Sequence, residues 1–129
     1  MTVRDSRLEL PAVPAAPAMA RAFVRRCWSP VENDETMDAV ELCVSELVTN
    51  ALDHATPPFE LRVARRCGRL RIEVEDRSAQ PPVARSLSLT AGRGRGIFLV
   101  EHTATRWGFD RTTAGKTVWA EFATNGAVG

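Results

Sequence analysis

A long amphipathic helix, followed closely by two alternating strands, defines the centre of this sequence. Asp34 is a suitable N-cap residue, Met37 opens an apolar pattern of helical period, and the pattern runs to about His54, before Thr56-Pro57-Pro58. At about 100° per residue one stripe of this helix is apolar and predicts its core face. The stripe comprises Val44, Leu47, Val48, Ala51 and Ala55.

The strands that follow the helix predict an antiparallel hairpin. In the first strand, Phe59, Leu61 and Val63 alternate with polar residues, and the second strand alternates in the same way over residues 70–75. Cys67-Gly68-Arg69 supplies a tight turn between them.

The flanking segments predict further elements around this helix and hairpin. They are a strand over Arg7–Leu10, a proline-rich connector, a helix from about Ala18 to Trp28, an irregular segment over residues 77–96, a helix from about Gly96, strands over Arg106–Arg111 and Thr117–Phe122, and a disordered tail over residues 124–129. Helices interleaved with hairpin strands favour an α/β two-layer sandwich, with a mixed sheet covered by helices on one face.

Composition narrows the class of protein. A chain of 129 residues predicts a single domain, with its core over about residues 5–123. The net charge of +1 argues against a broad basic face for nucleic acid, and no apolar run is long enough to span a membrane. The three cysteines lack the spacing of a disulfide framework or a zinc site, and the charged N-terminus is unlike a signal peptide, so we expect a cytoplasmic protein.

Asp76 is the first candidate for chemistry. It follows the apolar positions Leu70, Ile72 and Val74 at the same spacing of two, so strand geometry points its carboxylate toward the helix layer. A buried carboxylate needs a partner, and the exocyclic amine of adenine is one suitable donor. The alternative is that the strand ends at Glu75 and Asp76 merely starts a turn.

The long helix carries the second set of candidates. Glu46 and Asn50 are four residues apart and share a face of the helix. Asp53 lies on the same face, which is opposite the apolar stripe. An asparagine oxygen suits Mg²⁺ held mainly by phosphates and water, and a glutamate can accept a proton from an attacking hydroxyl. The alternative for all three residues is a solvated helix face.

Two glycine-containing segments complete the candidates. Gly92, Arg93, Gly94, Arg95 and Gly96 precede a predicted helix, so glycine backbone, helix N-terminus and arginine charge together favour an anion. In Gly115-Lys116-Thr117, we expect Thr117 to donate a hydrogen bond to a phosphate or to the base-binding carboxylate, and Lys116 either to contact phosphate or to face solvent.

Taken in order, these segments resemble the nucleotide-binding boxes of the GHKL (Bergerat-fold) ATPases, a superfamily that includes histidine kinases and DNA gyrase. Residues 45–55 look like its N box, Asp76 matches the aspartate that opens its G1 box, and residues 92–100 look like its G2 box. Residues 115–122 resemble the last strand of the anti-sigma-factor serine/threonine kinase branch, which is common as small single domains in actinobacteria.

This resemblance implies bound ATP and Mg²⁺ beneath a lid over residues 77–95. It implies that Asp76 contacts the adenine amine, that Asn50 ligates Mg²⁺, and that Glu46 is the general base. It implies that Gly92, Gly94 and Gly96 line the phosphates and that Thr117 supports the adenine end. Asp76-Arg77-Ser78-Ala79-Gln80 lacks the glycines usual in a G1 box.

Two functions follow from the resemblance. One is an anti-sigma factor that phosphorylates a serine of an anti-anti-sigma partner and thereby controls the sequestration of a sigma factor or another transcription regulator. The other is a non-catalytic, ATP-dependent module that binds a regulatory protein. Relatives of this type also dimerise, and the N-terminal strand offers a sheet edge for a homodimer.

Overall fold

Two helices and a five-stranded sheet form two layers in the computed structural model, which describes residues 4–28, 34–66, 68–78 and 104–123. The elements are β1 (Arg4–Leu10), α1 (Ala16–Trp28), α2 (Asp34–His54), β2 (Phe59–Arg66), β3 (Arg69–Asp76), β4 (Arg106–Arg111) and β5 (Lys116–Ala123). The predicted two-layer α/β class and the predicted elements within these ranges are confirmed. The predictions for residues 79–103 and 124–129, including the helix from Gly96, lie outside the described residues.

The sheet has the order β1-β2-β3-β5-β4, and each neighbouring pair of these strands is antiparallel. The prediction of a mixed sheet is therefore wrong for the described strands. A single-helix crossover makes a parallel pair, but two helices separate β1 from β2, so the chain enters β2 in the opposite direction. β3 and β4 do run the same way, but β5 lies between them.

The turn between β2 and β3 depends on a glycine. Gly68 has φ of 75°, in the left-handed region that glycine enters without the steric cost of a Cβ. The predicted hairpin is confirmed, and its register pairs Val63 with Ile72. This register aligns the apolar positions of both strands on one face.

The core fills the space between the helices and one face of the sheet. On β3 the buried side chains are Leu70, Ile72 and Val74, and Asp76 continues the row. The predicted stripe of α2 is confirmed, because its members are buried or pack against the core. Within the described ranges, neither helix combines the length and the apolar character that crossing a lipid bilayer requires.

Candidate functional site

The end of α2 and the end of β3 meet at one edge of the two layers. The backbone N–H of Arg77, just after β3, donates a hydrogen bond of 2.9 Å to the carbonyl of Thr56, just after α2. This bond places Asp76, the last residue of β3, and Asn50, near the C-terminus of α2, at the same end of the molecule.

Asp76 is a buried carboxylate on the helix-facing side of the sheet. It is 1% exposed, and β3 includes it, so the alternative in which the strand ends at Glu75 is wrong. The backbone N–H of Ser78 donates a hydrogen bond of 2.7 Å to Asp76 Oδ1. The position of this carboxylate is therefore fixed by the strand before it and by the turn after it.

Lys116 is the ion-pair partner of this carboxylate. The two residues face each other across β3 and β5, and Lys116 Nζ lies 3.0 Å from Oδ2 and 3.2 Å from Oδ1 of Asp76. Lys116, the only lysine of the sequence, is 3% exposed, so the alternative of a solvent-facing charge is wrong. Each charge offsets the desolvation of the other, and the pair has no net charge.

Gly115 makes this close approach of β5 to β3 possible. A Cβ at Gly115 would overlap the carbonyl oxygen of Asp76 and the backbone of Arg77. Glycine is therefore required at this position for Lys116 to reach the carboxylate.

The predicted hydrogen bond from Thr117 to the carboxylate of Asp76 is wrong, because the two side chains lie on opposite faces of the sheet. The alternative, a hydrogen bond from Thr117 to a phosphate, stays a prediction. Thr117 pairs with Glu75 in the sheet register and lines a cavity with Glu60, Arg62 and Glu73 on the face away from the helices. The reason is strand alternation, since neighbouring residues point to opposite faces. Counting back by two from the buried Val118 would have assigned the inward position to Lys116.

Glu46 lies on α2 beside α1 and is half-buried. Loss of hydration raises the pKa of its carboxyl above the ordinary value, and the positive charge of Arg21 on α1 opposes that rise. Arg21 Nη1 also donates a hydrogen bond of 2.8 Å to Ser45 Oγ, which fixes the guanidinium next to Glu46. Arg21 and Ser45 are site neighbours that the sequence patterns did not single out.

Asn50 is buried, at 7% exposure, whereas Asp53 is exposed. The sequence placed both residues on one face opposite the core, but only Asp53 is exposed there. Asn50 Oδ1 is buried and has no hydrogen-bond partner among the residues that the structure describes. A buried oxygen of this kind is unsatisfied unless a ligand, a cation or water reaches it.

The remaining predicted site residues cannot be placed. Gly92, Arg93, Gly94, Arg95 and Gly96 lie outside the described residues. Within the described part of the chain, no three His, Cys, Asp or Glu side chains cluster in a way that could hold a metal ion. A divalent cation at Asn50 would therefore take further ligands from phosphates and water, a mode that suits Mg²⁺.

The comparisons with known proteins identify the family and the fold. The family model described as "Histidine kinase-like ATPase domain" matches residues 9–122. The chain belongs to this family. The matched range includes both helices and residues of all five strands, and the match confirms the GHKL resemblance. A search of curated proteins gave no significant match.

Two solved structures share the fold. The crystal structure of the RsbU and RsbW domains of Rv1364c from Mycobacterium tuberculosis matches with a TM-score of 0.71 and 16% identity, over 94% of this chain and 32% of that one. The histidine kinase domain of the Erythrobacter litoralis EL346 blue-light activated histidine kinase matches with a TM-score of 0.54 and 28% identity, over 70% of this chain and 45% of that one. The chain thus spans less than half the length of either protein.

The buried ion pair predicts strong coupling between its two members. Lys116→Met or Asp76→Asn alone leaves one member buried without its partner, and each should lower the free energy of unfolding by about 3–5 kcal/mol. The double variant should lose clearly less than the sum of the two, as measured by urea unfolding. Additive losses would show that the two side chains do not interact.

The raised pKa of Glu46 predicts that this side chain destabilises the folded protein as the pH rises. The folded protein binds this proton more tightly than the unfolded chain does, so the contribution of Glu46 to stability is full below the unfolded-state pKa and is lost as pH rises through the folded-state pKa. Glu46→Gln should therefore have a higher Tm than the wild type at pH 7. The difference should vanish below about pH 4, where the carboxyl is protonated in both states. A lower Tm for Glu46→Gln at pH 7 would contradict the raised pKa.

Proposed function

We propose that the protein binds Mg-ATP at the edge where α2 and β3 end. The observation that carries this proposal is the buried carboxylate of Asp76, held in place by Ser78 and Lys116. A carboxylate can accept about four hydrogen bonds. The contacts from Ser78 and Lys116 leave acceptor capacity on Oδ2, which the exocyclic amine of adenine would use. Membership of the ATPase family supports this role.

Asn50 is the proposed protein ligand of Mg²⁺. Its buried Oδ1, which has no partner within the described part of the chain, fits a hard cation whose other ligands are phosphate oxygens and water. When bound, the ion would neutralise charge on the phosphates. The glycines and arginines of residues 92–96 are proposed to bind the phosphates, and the lid over residues 77–95 remains a proposal.

Glu46 is the proposed general base. It lies one helical turn before Asn50, and burial raises its pKa, which makes it a better proton acceptor than an ordinary surface carboxylate. In the proposed reaction Glu46 takes the proton of a serine hydroxyl as the serine oxygen bonds to the γ-phosphorus of ATP and the bond to ADP breaks. The positive charge of Arg21 opposes this rise in the pKa of Glu46.

The proposed substrate is a serine of an anti-anti-sigma protein, and the proposed outcome is control of a sigma factor or another transcription regulator in the cytoplasm. The RsbW domain in the matched crystal structure supports the fold on which this proposal rests. The last strand, with its sequence Gly-Lys-Thr-Val-Trp-Ala-Glu-Phe, adds the resemblance to the anti-sigma branch.

Calorimetry with Mg-ATP tests the nucleotide site. The wild type should bind, and Asp76→Asn should weaken binding by about tenfold or more, because a charged acceptor is lost from the base. Asp38→Asn is the matched control, since Asp38 is exposed on the outer face of α2, and its affinity should equal that of the wild type. Unchanged affinity for Mg-ATP in a folded Asp76→Asn variant would contradict the proposed contact between Asp76 and adenine.

Transfer from labelled ATP to candidate partner proteins tests the chemistry separately. Label should appear on a partner serine with the wild type, and Glu46→Gln should abolish transfer while keeping Mg-ATP affinity within about twofold, because only the proton acceptor is lost. Tight, ATP-dependent partner binding with no transfer would identify the protein as a binding module rather than a kinase.

A further inference from the structure

The pair of Asp76 and Lys116 keeps hydrogen-bonding capacity on both of its members. A carboxylate accepts about four hydrogen bonds, and an ammonium group has three N–H donors and no acceptor. Among the described residues, the backbone N–H of Ser78 contacts Oδ1 of Asp76, and Lys116 Nζ lies 3.2 Å from Oδ1 and 3.0 Å from Oδ2. These contacts leave one acceptor site on Oδ2 of Asp76 and one N–H on Lys116 Nζ.

The fold holds this acceptor and this donor side by side. β3 and β5 pair Asp76 directly with Lys116, and Gly115 lets the two backbones approach because a Cβ there would overlap the carbonyl oxygen of Asp76. Both side chains point to the helix-facing side of the sheet, at the end of β3 where α2 also ends. A fixed acceptor and a fixed donor therefore lie next to each other in the proposed nucleotide site.

One edge of adenine presents the complementary pair of groups. The exocyclic amine at N6 is a hydrogen-bond donor, and the neighbouring ring nitrogen N1 is an acceptor. An adenine whose amine donates to Oδ2 of Asp76 brings its N1 toward Lys116 Nζ, because Nζ lies 3.0 Å from that same oxygen. The free donor of the lysine and the free acceptor of the aspartate thus match two adjacent atoms of one base.

We propose that Lys116 recognises the base of the bound nucleotide by donating its remaining N–H to N1 of adenine, while Asp76 accepts from the N6 amine. This inference rests on the proposed function, since it requires a nucleotide whose base reaches Asp76. It assigns Lys116 to the base rather than to a phosphate, and it makes Lys116 a residue that determines specificity.

The pair excludes purines with the reverse pattern. Hypoxanthine and guanine carry an acceptor, O6, in place of the amine, and a donor, N1–H, in place of the N1 acceptor. In the orientation of ATP, O6 would face the carboxylate of Asp76 and N1–H would face the ammonium of Lys116. An ammonium has no acceptor and an ionised carboxylate has no donor, so neither side chain adapts by turning. Because both side chains are buried, the mismatched groups would stay without partners.

Calorimetry with ATP analogues tests this contact on the unaltered chain. In 1-deaza-ATP a C–H group replaces N1, so the affinity should fall by about tenfold or more, because the N–H of Lys116 loses its acceptor. The control is 7-deaza-ATP, which changes a nitrogen on another edge of the base and should bind as tightly as ATP. ITP reverses both positions and should bind about a hundredfold or more weakly than ATP.

Substitution of Lys116 tests whether the lysine is the donor. In Lys116→Met no donor faces N1, so ATP and 1-deaza-ATP should bind equally. Lys116→Gln supplies an amide that presents either a donor or an acceptor, so its preference for ATP over ITP should fall by about tenfold. Arg7→Met removes one positive charge at an exposed position on β1 and, as the matched control, should keep the wild-type preferences. Circular dichroism checks that each variant is folded.

A spectroscopic test needs no substitution. Lys116 is the only lysine of the sequence, so isotope-labelled lysine gives a single side-chain ammonium signal in nitrogen NMR. ATP should shift this signal, and 1-deaza-ATP should shift it less.

The outcomes separate this inference from the proposed function. The inference would be overturned by an ammonium signal that ATP leaves unchanged, by equal affinity of the wild type for ATP and 1-deaza-ATP, or by a difference between them that persists in a folded Lys116→Met variant. In each of these cases ATP still binds, so the proposed nucleotide site stands. A wild type that binds no ATP would overturn both.

Discussion

The ion pair between Asp76 and Lys116 depends on the fold, and the candidate site depends on this ion pair. The pair forms only if β3 and β5 are neighbours in one register, if Gly115 leaves room for the backbones to approach, and if alternation turns both side chains toward the helices. A one-residue shift of β5 against β3 would leave Asp76 buried without Lys116, and a buried charge without its partner costs several kcal/mol. The same pair gives the site a carboxylate whose position is fixed by its surroundings.

Local patterns in the sequence were sufficient to predict most of the helices and strands that the structure describes. The period of α2 and the alternation of β2 and β3 reflect the burial of one face, so they appear in the residues themselves. Strand direction has no such local signature. It depends on the number of helices in each connection and on the order of the strands in the sheet. For that reason the prediction of a mixed sheet was wrong, although the predicted elements were confirmed.

In the candidate site too, local patterns predicted the placement of some residues and not of others. The burial of Asp76 follows from the spacing of Leu70, Ile72 and Val74, and it was predictable. Thr117 was assigned by its chemistry as a donor rather than by strand alternation, and the structure places it on the other face. The burial of Asn50 was not predictable from α2 alone, because the pattern of α2 places this residue opposite the apolar stripe.

The bond between the backbone of Arg77 and the carbonyl of Thr56 has a mechanical consequence. The chain leaves β3 at Arg77, so any force on the segment beyond it acts on the residues that follow α2 as well as on the end of the strand. Any motion that separates Thr56 from Arg77 breaks this bond and exposes the amide of Arg77. Amide exchange at Arg77 would therefore report on loosening at the end of α2 as well as in the turn that holds Asp76.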